Sequence, residues 1–162
     1  MRHLSAVLVA SLLLGCAATP TEVAVSAADL PIPEQPFQEG QRALRVANVR
    51  LGASADALLV DVAPTVRVGE PLVVQFTTYG GGCIDADTTV AIVSGRLASV
   101  IPYQRYFTPR SGGGCTRELI LERRTVHLVF TSTGSATLRF IGRTSDLLGP
   151  LITVERRVLV RE

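Results

Sequence analysis

Two short stretches limit what this chain can fold into: Gly80-Gly81-Gly82-Cys83 and, thirty-two positions further on, Gly112-Gly113-Gly114-Cys115. Three residues without side chains let the backbone bend tightly, so each motif can carry its cysteine close to the other. The reading is one disulfide, Cys83 to Cys115. On the chain-entropy account, closing a loop of that length stabilises a domain by roughly 3 to 4 kcal/mol. Such a bond persists outside the reducing cytoplasm, so the compartment becomes the next question.

The N-terminus answers it. Met1-Arg2-His3 is a short basic start, residues 4–14 are an apolar run too short to span a bilayer as a stable helix, and the run ends in Leu13-Leu14-Gly15-Cys16. This ending resembles the lipobox of bacterial lipoproteins and covers about a tenth of the chain. The resemblance implies a signal peptide over residues 1–15, removed so that Cys16 becomes the first residue. It also implies a thioether-linked diacylglycerol on Cys16 and, in many bacteria, a third acyl chain on its new amino group. Two or three chains anchor a protein stably where one does not. Ala17, in place of the aspartate that retains such proteins in an inner membrane, implies the outer membrane. The expected location is therefore the cell envelope, with the membrane a partner through the lipid. A plain secretory signal cleaved near Ala17-Ala18 is the competing reading.

Residues 16–40 carry Pro20, Pro31, Pro33 and Pro36 and no sustained apolar period, which predicts a flexible tether, with Phe37 marking the point where the chain docks. Residues 41–162 then form a single domain. Their apolar period is two. Leu72, Val74 and Phe76 share one face of the cleanest strand, and Val126, Leu128 and Phe130 repeat the pattern, as do Ala136, Leu138 and Phe140. Turns recur every eight to twelve residues and no stretch makes a convincing amphipathic helix, although 118–122 is compatible with a helical turn. The expected fold is all-β, an antiparallel sandwich of about eight strands with one disulfide, a barrel being the runner-up. Pro102 lies within the strand expected over 97–107 and predicts a sheet edge or a bulge there. The piece Thr133-Gly134-Ser135-Ala136-Thr137-Leu138-Arg139-Phe140 resembles the penultimate strand of bacterial immunoglobulin-like domains. That resemblance implies an immunoglobulin-like sandwich, without the antibody signature, since the chain has no Trp.

Little in this sequence carries chemistry. The net charge is +2 and all sixteen basic residues are arginine, scattered singly, which argues against a nucleic-acid partner. The mature chain has one histidine, His127, in mid-strand, and no nucleophile elbow or phosphate loop, so neither catalysis nor a cofactor is expected. Asp85 and Asp87 would share a strand face and could be half a calcium site or the acid pair of a hydrolase, but a solvated outer face accounts for them more simply. Cys83, Cys115 and His127 suffice in number for zinc, yet an oxidising compartment favours the disulfide. The glycine triplets could form an anion nest, and more simply they give the cysteines room. The best functional candidate is Pro102-Tyr103-Gln104-Arg105-Tyr106-Phe107-Thr108-Pro109-Arg110, whose three aromatic residues and two arginines have the composition of an interface. Arg105, Tyr106 and Arg110 are expected to face solvent as partner contacts, with Tyr103 and Phe107 pointing inward. The expected function is a non-enzymatic binding or structural module at the envelope with a possible protein partner. The alternatives are an inhibitor acting through the loop between the cysteines and a hydrolase using Asp85 and Asp87.

Overall fold

Alternating apolar residues turn one face of each strand towards a shared core, and the result is an all-β chain with a single turn of 3-10 helix at Ala27–Asp29. The computed structural model describes residues 26–49, 60–144 and 149–162; the signal segment and Cys16 lie outside them. Nine strands are described: β1 (Arg42–Val46), β2 (Val60–Val62), β3 (Thr65–Arg67), β4 (Pro71–Gly80), β5 (Ile84–Ser94), β6 (Leu97–Phe107), β7 (Ile120–Val129), β8 (Gly134–Arg143) and β9 (Leu151–Arg161). One sheet has the order β1-β6-β8-β9-β3 with β5 also on β6, and the other is β2-β4-β7. Leu72, Val74 and Phe76 of β4 and Val126 and Leu128 of β7 share one buried cluster with Val100 of β6 and Leu138 and Phe140 of β8. The rings of Phe76 and Phe140 meet across it at 5.8 Å. The segment 118–122 is not helical; its second half opens β7.

The expected purely antiparallel arrangement is corrected in two places, because β3 runs parallel to β9 and β6 parallel to β8. After β6 the chain leaves the larger sheet, runs β7 in the smaller one and returns as β8. A crossover of this kind, unlike a hairpin, brings strands back in the same direction. Pro64 marks a similar change of sheet, between β2 and β3.

β6 is not an edge strand, contrary to one half of the expectation from Pro102. Strand β5 covers one of its edges, while β8 takes the other at Leu97–Val100 and β1 at Tyr103–Phe107. A bulge does occur beside Pro102, where the ladder lacks a donor, but it lies in the partner strand and not in β6: the β5 register shifts between Ala86 and Thr89. The two bulged residues, Asp87 and Thr88, offer their carbonyls to Arg124 of β7, whose Nη1 donates to both at 3.2 Å while its Nε donates to Thr78 Oγ1 at 3.0 Å. One buried guanidinium thereby ties the two sheets together at the irregular point of the ladder.

The stretch expected to be a tether is corrected over its second half, which is an ordered arm on the domain. Leu30 packs with Val46, Ile101, Tyr103 and Leu151, and Tyr103 donates its hydroxyl to Ile32 O at 3.0 Å. Gln35 N donates to Leu44 O, and Gln35 Oε1 accepts from Leu44 N at 3.1 Å. Glu34 Oε1 accepts from Val46 N at 2.8 Å. Side-chain oxygens thus satisfy donors on the edge of β1 that no strand reaches. Pro31, Pro33 and Pro36 favour the extended form that such a covering segment needs.

Glu34 also binds two arginines. Its carboxylate receives Arg143 through both Nε and Nη2 and lies 3.1 Å from Arg45 Nη2. Burial works against its charge, but the hydrogen bonds from Arg143 and Val46 N and the two guanidinium charges outweigh it and hold the carboxyl below its ordinary pKa. A carboxyl lowered on folding stabilises fully above its unfolded pKa, near 4.3, and that contribution is lost as pH falls through the lower folded value. The parent should therefore lose stability on acidification below about pH 5, and Glu34→Gln should flatten part of that slope. At neutral pH the same variant leaves the buried Arg143 without its counter-charge and should cost roughly 3 kcal/mol. Denaturant midpoints measured from pH 7 to 3 check both; parallel slopes in parent and variant would remove Glu34 as the titrating group.

Candidate functional site

Two of the connections that carry the chain between sheets, β4 to β5 and β6 to β7, are joined to each other at one end of the domain. Cys83 sits in the first and Cys115 in the second, and they form the expected disulfide with Cα atoms 5.3 Å apart. The two glycine triplets do different work. Gly81 has φ 108°, and a Cβ there would overlap the carbonyl of Glu118. Gly82 has φ 62°, and its Cβ would lie 2.5 Å from Thr116 O. In the second triplet only Gly112 has a positive φ, and Gly114 faces open space. The first triplet therefore provides the close approach, and the second forms a turn.

Beside the disulfide is a cleft of about 610 Å³ whose walls include Phe37 of the arm, Tyr79, Ile84, Tyr106, Phe107 and Leu119. That volume is in the range of small-molecule sites, as is the mainly apolar lining with a few polar groups. Phe37 stands edge-on to Tyr106 with ring centroids 6.1 Å apart, and the Arg45 guanidinium lies 4.8 Å over the Phe37 ring. The buried side is polar. Gln104 Nε2 donates to Tyr79 O at 2.6 Å, while Gln104 Oε1 accepts from Asn48 N at 3.1 Å and from the Tyr106 hydroxyl at 3.2 Å. Burial pushes the Tyr106 hydroxyl up to about 12, so at neutral pH it keeps its proton and remains a donor.

The segment singled out as a contact surface is divided by this geometry. Arg105 and Arg110 are exposed, as expected. Tyr106 is only 2% exposed and Phe107 is 38% exposed, the reverse of the expectation, while Tyr103 is buried as expected. The reason is that β6 is covered on both faces. Ala98, Val100 and Tyr106 share the face towards the smaller sheet. Ile101 and Tyr103 point the other way and are buried by the arm and its cluster, whose cover ends before Arg105 and Phe107.

The remaining candidates are not brought together. Asp85 pairs with Arg42 and Asp87 with Arg105. Burial raises the Asp87 pKa, but hydrogen bonds from Arg105 and Thr88 N and the charges of Arg105 and Arg124 hold it low, the opposite of what a proton-donating acid needs. His127 is exposed and pairs with Val73, near the end of β7 far from Ile120 and the disulfide. Among the described residues no three His, Cys, Asp or Glu side chains cluster as a metal site. Cys16 lies outside the described residues. Sequence reasoning missed the cleft itself, although Asn48, a polar residue within Val46-Ala47-Asn48-Val49, was a visible signal. No family model matches the chain, and neither a curated protein nor a solved structure does.

The glycine geometry is directly testable. Gly81→Ala must relieve an overlap with backbone at a φ that L residues avoid and should lose roughly 2 kcal/mol or more, whereas Gly114→Ala should stay within about 0.5 kcal/mol of the parent. Non-reducing thermal melts of the two variants measure the difference; equal shifts would mean that no close approach exists at Gly81.

Proposed function

We propose that this chain is an exported, lipid-anchored, non-enzymatic binding module. On this reading an immunoglobulin-like β-sandwich, held at the envelope through Cys16, presents the cleft at its disulfide end to a partner. The observation that carries the binding role is that cleft: apolar walls of about 610 Å³ braced by a disulfide on one side and a docked arm on the other. Walls fixed before binding reduce the ordering cost that a flexible loop incurs. Arg117 and Glu118, which line the cleft, supply its polar rim, and Arg110 is exposed next in sequence to the lining residues Thr108 and Pro109. The sandwich reading is supported by two sheets that share one apolar cluster. The hydrolase alternative loses ground because each of its two carboxylates is already held by an arginine.

The anchor and the cleft are tested separately. Cys16→Ser should abolish palmitate labelling and shift the protein from the membrane to the soluble fraction; a variant that still labels and still pellets with membranes disproves lipidation. Phe107→Asp places a charge on an exposed wall of the cleft. It should leave the melting temperature within a few degrees of the parent, as surface changes do, and weaken capture of envelope partners by the immobilised protein. Undiminished capture would remove the cleft as the binding face.

A further inference from the structure

We infer that the cleft accepts a neutral aromatic group carrying an N–H or O–H donor, which meets the side-chain oxygen of Asn48; this rests on the cleft being the binding site, as proposed above. Asn48 lines the cleft and is only 6% exposed. Its backbone groups are both used: its N donates to Gln104 Oε1, and its O accepts from Tyr79 N at 3.3 Å. Its buried Oδ1 accepts from nothing among the described residues. Folded proteins leave few such atoms, because a buried acceptor without a donor forfeits the hydrogen bonds it had in water. The Tyr106 hydroxyl donates to Gln104 Oε1, Gln104 Nε2 uses one of its two hydrogens on Tyr79 O, and neither group reaches Asn48 Oδ1. A group entering the cleft can supply the donor instead.

The walls select the body that carries it. Phe37, Tyr79, Tyr106 and Phe107 offer ring faces and edges, which favour a flat ring over a flexible chain, because stacked or edge-on pairs gain beyond simple burial. Arg117 and Glu118 both line the cleft, so its charged groups cancel and do not call for an ion. An indole or a phenol has the required combination. It can arrive as a free molecule or as a Trp or Tyr side chain of an extended peptide. In the second case Leu119, a wall of the cleft that is 57% accessible, and Leu121 two residues on, 59% accessible, would meet apolar neighbours of the ring.

The chain has no Trp of its own, so bound indole is read without background. Indole and 1-methylindole, which lacks the N–H, are titrated by fluorescence and calorimetry into the full chain in nanodiscs, with empty nanodiscs as reference. Indole should bind about tenfold more tightly, and Asn48→Leu should bring that ratio below about two. The Asn48 side-chain amide signals should move on addition of indole and not of 1-methylindole, a readout that needs no variant. A peptide Leu-Trp-Leu, blocked at both ends, distinguishes the sources. Tighter binding than indole, lost in Leu119→Asp, assigns the ring to a peptide, and equal binding assigns it to a free molecule. Equal affinity for indole and 1-methylindole, or a preference that survives Asn48→Leu, overturns the donor requirement while leaving the cleft in place. Failure of both ligands to bind, or indifference of both to Phe107→Asp, overturns the cleft itself.

Discussion

The carboxylate of Glu34 is the contact on which the arrangement of this domain depends. It joins four separated parts of the chain: the arm that bears it, Val46 and Arg45 of β1, Arg143 at the end of β8, and through Arg143 Nη1 the carbonyl of Gly149 before β9. Everything the arm does follows from being held there. Upstream of Glu34, Leu30 and Ile32 cover Tyr103, so a strand with two apolar faces can exist in a sheet that has only one other sheet to pack against. Downstream, Phe37 reaches Tyr106 and completes a wall of the cleft. Without the arm, the outer face of β6 would be an exposed apolar patch and the cleft an open shelf.

Two buried guanidinium groups, Arg124 and Arg143, occupy the places where the β ladders fail. Arg124 serves the carbonyls freed by the β5 bulge, and Arg143 serves a carbonyl and a carboxylate where β8 ends. Each needs several donors spread in one plane. A lysine, with a compact and strongly hydrated charge, would satisfy fewer acceptors and lose more hydration. The cost of burying the charge is visible at Arg124, whose pKa is lowered by burial although Glu122 and Asp87 oppose that shift. The ion pair to Glu122 is long, at 3.7 Å, so most of the compensation comes from neutral oxygens of the backbone and of Thr78 and Thr89.

How much of this was legible depends on how local each cause is. Leu72, Val74, Phe76, Val126 and Leu128 announced their faces because a two-residue period is written in adjacent positions. The Cys83 to Cys115 bond was legible from two glycine triplets, although only the first makes the close approach. The faces of Tyr106 and Phe107 were not legible, because they depend on which side of β6 the smaller sheet covers and on how far an arm seventy residues earlier reaches. Parity alone relates Tyr103 to Phe107 and cannot say that cover ends between them. The arm was misread for a related reason: prolines exclude helix and ladder, but they equally suit an extended segment whose partners are side chains. Asn48 was legible as an anomaly, a polar residue in an apolar run, and its meaning appeared only once Gln104 and Tyr79 were beside it.

On the proposed function the arm would also link anchoring to binding. Cys16 and Leu30 are fourteen peptide units apart, and at roughly 3.3 to 3.6 Å per residue those units span at most about 50 Å. On the proposed anchoring, then, the domain stays within that distance of the lipid surface, and any force along the tether reaches the domain first through Leu30, Ile32 and Glu34. Those residues precede Phe37 by only a few positions. A ligand resting on Phe37 interacts with the docked arm and not with a detached one, so its binding must favour docking by the same free energy by which docking favours its binding. The disulfide fixes the opposite wall and takes no part in this exchange, because Cys83 and Cys115 are joined whether or not the arm is in place. The cleft thus has one covalently fixed wall and one held by noncovalent contacts, among them the half-buried Glu34 carboxylate, so acid can loosen that wall without unfolding the sheets behind it, and on the proposed anchoring so can a pull on the tether.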